Sequence, residues 1–109
     1  GGGSESGGAS LRIEQEERTY FKKIRSLEEK ITQYENNFLF ISQSKSSEVL
    51  RKDIESKIES AREMKQKLAI RLLALKELRI KAEKEHKAGN KVEVELPVFE
   101  PLEVGVELD

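Results

Sequence analysis

The most regular feature of the chain is an apolar repeat at alternating steps of four and three. Ile13, Glu17, Tyr20, Ile24, Leu27, Ile31, Tyr34, Phe38 and Ile41 follow it, and only Glu17 breaks the apolar character. That spacing keeps one stripe on one face of an α-helix and forms the heptad seam of a coiled coil. Ser10 is a candidate N-cap, and no glycine or proline lies between positions 8 and 89. The pattern therefore predicts a first helix from Leu11, ending between Asn37 and Ser42.

Ser42, Ser44, Ser46 and Ser47 come next. Their hydroxyls compete for backbone N–H groups and so favour a turn over a helix interior. Ser46 or Ser47 is the candidate cap of a second helix, with Glu48 suited to the positive end of its dipole. Leu50, Ile54, Ile58, Ala61, Met64, Leu68, Leu72, Leu75, Leu78 and Ala82 then repeat the three-four spacing. Lys84 and Lys87 near the end, followed by Gly89-Asn90, predict a stop at about Ala88. A short turn makes the helices antiparallel, and folding about Ser44 sets Ile31 beside Ile58, Leu27 beside Ala61 or Arg62, and Tyr20 beside Ala69.

Two stretches do not fit a single stripe. In "ENNFLFISQSK" (35–45), Phe38 and Ile41 continue the seam and would fill the closed end, whereas Leu39 and Phe40 point elsewhere and are candidate contacts for another protein. In "AIRLLALKELRI" (69–80), Ile70, Leu73, Ala74 and Ile80 lie off the main stripe. A helix apolar on several faces has to be covered on several faces, by the C-terminal segment or by another chain.

Beyond Asn90 the period changes to two. Val92, Val94 and Leu96 alternate with Glu93 and Glu95, and Leu102, Val104, Val106 and Leu108 alternate with Glu103, Gly105 and Glu107. These are strand signatures, with Pro97 and Pro101 marking a bend or an edge around Val98 and Phe99. The first ten residues, "GGGSESGGAS", have the composition of a flexible Gly/Ser linker, engineered or native, and are expected to stand outside the fold.

Composition sharpens this picture. At 109 residues, 38% charged and 6% aromatic, the chain suits long helices better than a thick globular core. The net charge of −1 is unevenly placed: 19 bases against 15 acids in residues 1–90, and 1 base against 6 acids in 91–109. Lys22, Lys23, Arg25, Arg62, Lys65 and their neighbours raise the prospect of phosphate contact, but acids are interleaved among them and the acidic tail opposes it.

Candidate chemistry is sparse. With no cysteine, thiolate sites and disulfides are excluded. The single histidine, His86, sits among Lys84, Glu85 and Lys87 with no second ligand at metal spacing, and reads as a solvated surface residue. No phosphate-binding glycine loop follows a strand, and no nucleophile has a candidate base. No apolar run approaches the roughly 20 residues of a membrane span, and the first residues lack the features of a signal peptide, so a cytoplasmic setting is the expectation.

The block from Tyr34 to Leu68 also resembles the C-terminal helical hairpin of a bacterial family, domain of unknown function 349. Glu35-Asn36-Asn37, the aromatic pair Phe38 and Phe40, Ser44-Lys45 and Lys57-Ile58 carry the likeness. What the resemblance implies is a hairpin, with no chemistry attached.

The expectation is thus an all-α antiparallel coiled-coil helical hairpin (11–89, turn about 42–47) with a short acidic β-strand or extended tail (90–109). Its expected role is non-enzymatic: a protein–protein interaction or scaffolding module, without cofactor, catalytic residue or metal, whose partner is another chain or a second copy. The tail would dock by strand addition, or cover the helices of its own or a partner chain. The candidate partner-binding residues are Leu39, Phe40, Ile70, Leu73 and Ile80 on the helices, and Val92, Val94, Leu96, Phe99, Leu102, Val104 and Val106 on the tail. A nucleic-acid- or ribosome-contacting arm is the alternative.

Overall fold

A computed structural model describes residues 5–41 and 43–99 of the chain. It contains two long helices, α1 (Glu5–Leu39) and α2 (Glu48–Lys87), with a three-residue 3-10 turn at Lys45–Ser47 before α2. Among the described residues there is no β-strand. The chain divides into two compact units, drawn from different stretches of the same helices. A turn unit takes residues 23–68, and a terminal unit takes the chain up to Lys22 together with residues from Ala69.

In the turn unit the helices run antiparallel. Glu35 pairs with Arg62 at 2.9 Å and Glu28 with Lys65 at 3.9 Å, so rising position on α2 meets falling position on α1. Leu27, Ile31, Ile54, Ile58, Ala61, Met64 and Leu68 form the buried core, as the three-four spacing requires. The register differs from that expected of a fold about Ser44: Arg62 meets Glu35 rather than Leu27, and Lys65 meets Glu28, so α2 is displaced by at least one helical turn along α1, and Leu27 and Ala61 are each fully buried without being level with one another. Leu50 departs from expectation: it is exposed, because α1 has ended at Leu39 and the first turn of α2 has no facing helix.

The turn is built from serine hydroxyls and tightened backbone bonds. Phe40 and Ile41 donate their N–H groups to the carbonyls of Asn37 and Phe38, at 3.1 and 3.2 Å, winding the end of α1 to a tighter pitch. Ser44 is the N-cap residue of the 3-10 turn Lys45–Ser47, though its hydroxyl makes no capping bond to a backbone N–H, and that turn leads directly from Ser47 into α2. The Ser44 hydroxyl lies 2.9 Å from that of Ser46 and 3.3 Å from that of Ser47. Its carbonyl accepts from Ser47 N–H at 3.1 Å and from Arg51 Nη1 at 3.1 Å, which ties the loop to the first turns of α2.

The terminal unit is also antiparallel, with Ser10 opposite Glu83 and Glu17 opposite Arg79. Here the helix starts earlier than its composition suggests. α1 begins at Glu5, so the second half of the expected Gly/Ser linker is helical, and Ser10 is an interior residue rather than a cap. Tertiary packing overrides the poor helix propensity of Gly8: Ala9 is buried and the Ser10 hydroxyl donates to Glu83 Oε1 at 3.3 Å.

The end of α2 falls where expected. Gly89 has φ +81°, its N–H donates to the His86 carbonyl, and the Asn90 N–H reaches the Glu85 carbonyl, each at 3.0 Å. This is the Schellman arrangement, which needs a residue comfortable in the left-handed region. It turns the chain back along α2. Residues 91–99 carry no strand pairing, contrary to the strand expected at Val92–Leu96; the alternative stated with it, an extended tail, fits instead. The second expected strand, 102–108, lies outside the described residues.

Candidate interaction surfaces

The tail, as far as residue 99, belongs to the terminal unit and covers part of it. Val92 is buried, and with Val94 it lines a small pocket of about 130 Å³ completed from α2 by Leu78, Ala82 and Glu85. Seven residues later the Phe99 ring meets Tyr20 edge-on, with centroids 5.9 Å apart and planes at 89°. The Arg71 guanidinium stacks 4.9 Å from the centre of the same ring. Such contacts join a ring's positive edge to another's face and place a cation on the electron-rich face. Val92 and Phe99, both candidate partner contacts, are therefore engaged within their own chain, while Val94 and Leu96 are half-buried. Leu102, Val104 and Val106 lie outside the described residues.

Among the described residues, one charged side chain lies in the core of this unit. Glu17 is only 7% exposed, and its Oε1 accepts from Arg79 Nε at 2.7 Å. Arg79 Nη1 also lies 3.6 Å from Glu83 Oε1. The hydrogen bond to Glu17 raises the guanidinium pKa above its ordinary value, against the opposing effect of burial. The break in the first heptad seam is thus answered by an arginine on the facing helix.

The tail as far as residue 99 does not bury every apolar residue of α2 in this unit. Ile70, Leu73 and Ile80 remain solvent-accessible, from 48% at Ile80 to 63% at Ile70. Leu11 and Phe21 of α1 are also exposed in this unit. The candidates Ile70, Leu73 and Ile80 thus share one helix and one unit and are exposed there.

The turn unit carries its own apolar surface. Leu39 and Phe40 are 79% and 89% exposed, and Val49 and Leu50 are exposed at the start of α2. Phe38 and Ile41 are half-buried, as expected of residues closing the seam. An open groove of about 710 Å³ runs beside them, with Phe38, Leu39 and Ile58 as its apolar walls and the Glu35–Arg62 pair on its rim. Phe21, Val49 and Leu50 were missed as surface candidates. Phe21 directly follows a seam residue, which turns it about 100° away on the helix, and Val49 and Leu50 precede the point at which α2 gains a neighbour.

Charges of both signs are interleaved elsewhere in the turn unit, and some of them are paired. Lys52 with Glu48 and Lys57 with Asp53 form bridges one helical turn apart, at 3.3 and 3.2 Å. Exposed pairs of this kind stabilise by only a few tenths of a kcal/mol, but they break up any single-signed stripe. Among the described residues no three His, Cys, Asp or Glu side chains gather as a metal site, and no helix is long and apolar enough to cross a membrane. His86 is exposed in the last turn of α2.

No family model, curated protein or solved structure matches this chain.

Proposed function

We propose that this protein is a non-enzymatic interaction module, a helical scaffold that presents apolar side chains to other protein surfaces. One observation carries the reading: Leu39, Phe40, Ile70, Leu73 and Ile80 stay about half exposed or more, while most residues of the two seams are buried or half-buried. Large apolar residues grouped on a surface gain free energy when a partner removes them from water, about 25 cal/mol per Å² covered. Aromatic and aliphatic anchors at such positions are the usual centres of binding energy.

The tail has a supporting part in this reading. Through Val92 and Phe99 it covers its own terminal unit, which favours self-covering over strand addition to a partner. The surfaces left for partners are then the tip beside Phe40 and the exposed Ile70, Leu73 and Ile80 of α2.

Site-specific photocrosslinking tests the proposal. A photoreactive phenylalanine analogue at position 40 or 73 should yield discrete protein adducts at defined masses, and one at Gln33, on a polar stretch of α1, should not. Equal and diffuse labelling at all three positions would defeat it.

A further inference from the structure

The groove beside the turn carries an uneven charge. Its apolar surfaces are Phe38, Leu39 and Ile58, and the charged side chains around them are Glu35, Glu55, Glu59 and Arg62. Arg62 is already bonded to Glu35 at 2.9 Å. Glu55 and Glu59 are both exposed, and neither has an ion-pair partner among the described residues. The other cations between Glu48 and Arg62 are engaged elsewhere: Arg51 donates to the Ser44 carbonyl, Lys52 pairs with Glu48, and Lys57 pairs with Asp53. The facing end of α1 offers none, since residues 31–44 contain no lysine or arginine. Carboxylates one helical turn apart on the same face repel each other. Here that repulsion adjoins exposed apolar surface.

Charge complementarity selects the occupant. An open groove would leave a small ligand largely in water, unlike the concave pockets such ligands use. The acidic wall opposes a phosphate backbone or an anionic lipid surface, and equally this chain's own residues 100–109, which carry four acids and no base. What fits is a segment with apolar side chains to cover Phe38, Leu39 and Ile58 and cations to neutralise Glu55 and Glu59. These two carboxylates are four residues apart, about 6 Å along the axis of α2, and two cations four residues apart on a second helix have the same spacing. We propose that the groove receives a basic amphipathic helix of another protein, its apolar stripe on Phe38, Leu39 and Ile58 and its Lys or Arg side chains on Glu55 and Glu59. This inference rests on the interaction-module reading and gives the partner at the tip its chemistry.

A model peptide tests it, titrated into the full chain and read by fluorescence anisotropy. The probe is a labelled peptide of about 14 residues, or four helical turns, with leucine at three-four spacing and lysine on the flanks. Glu55 and Glu59 are exposed, so Glu55→Lys/Glu59→Lys changes charge without touching the core, with circular dichroism as the control. This double reversal should weaken peptide binding about tenfold or more. Glu29→Lys/Glu77→Lys makes the same change of net charge at exposed positions outside the groove, and should leave binding within about twofold. A peptide with glutamate in place of lysine should show the opposite preference and bind Glu55→Lys/Glu59→Lys better than the unaltered protein.

No binding of the lysine peptide at about 100 μM, or equal losses in the two double variants, would overturn the proposal. So would a glutamate peptide that binds the unaltered protein as tightly as the lysine peptide does. Self-association that Glu55→Lys/Glu59→Lys abolishes would also overturn it, by giving the groove to a second copy. The two readings fail separately. Discrete adducts from position 40 that persist unchanged with Glu55→Lys/Glu59→Lys end the basic helix and keep the interaction module, whereas absence of adducts from positions 40 and 73 in the otherwise unaltered chain ends both.

Discussion

The two units are cut from the same pair of helices, yet they bury different chemistry. The turn unit encloses an apolar core from Leu27 and Ile31 to Met64 and Leu68, and its ion pairs lie at the surface. The terminal unit buries fewer large aliphatic residues, adds Glu17 to them, and needs the segment after Gly89 as a third layer. The difference follows from how each is closed. A serine-rich turn fixes the register of helices covalently joined a few residues away. The terminal unit has no such closure, and its alignment depends on contacts that only one register permits, such as Glu17–Arg79 and Ser10–Glu83. Polar groups buried in this way are candidates for specifying geometry more than for adding stability.

The largest effect that tests this contrast is cavity formation in the apolar core. Leu27→Ala should destabilise by about 2–5 kcal/mol, because Leu27 is fully buried and lost contacts add to lost transfer free energy. Denaturant titration measures the total, and hydrogen exchange should locate the loss in residues 23–39 and 54–68. Arg79→Ala comes next, at about 2–4 kcal/mol, since it strands a carboxylate that is nearly all buried. Replacing both partners, as Glu17→Leu/Arg79→Leu, should recover most of that loss. If the double variant is as stable as the original but its terminal-unit amides exchange faster, the pair specifies register. If it stays as unstable as Arg79→Ala, the pair is a net source of stability and the contrast is wrong.

Removing the third layer should cost less. Phe99→Ala takes away an edge-on ring contact and a stacked guanidinium, each of about 0.5–1.5 kcal/mol in comparable settings. A loss of about 1–2 kcal/mol is expected, with faster exchange around Tyr20 and Arg71. An unchanged protein would mean that the tail adds nothing to the terminal unit.

How far these features were legible follows the same divide. Period alone identified the buried face of both helices, because burial on one side is what creates the period. It misplaced Leu50, since a repeat says nothing about where the facing helix ends. Glu17 read as a mere interruption because its partner lies 62 positions away; the usable signal was that a lone acid in a seam calls for a base opposite, and α2 offers arginines at 71 and 79. In the tail, alternation separated the inward Val92, Val94 and Leu96 from the outward Glu93 and Glu95. What alternation could not supply was a ladder partner, and a helical surface has no free backbone groups to offer one.

The smallest predicted effect bears on the first residues of α1, where composition and structure disagree most. Glycine in a helix interior costs about 1 kcal/mol relative to alanine, chiefly through the freedom it has when unfolded. Gly8 lies within α1, and a methyl group added there would meet nothing within 4 Å. Gly8→Ala should therefore stabilise the terminal unit by about 0.5–1 kcal/mol and slow amide exchange across the first turns of α1. The gain depends on that stretch being helical in solution: in a flexible linker the same substitution has no folded state to favour. A shift of a few degrees in melting temperature would tie Ala9 and Ser10 to the end of α2, and none at all would return the first ten residues to the linker that their glycines suggest.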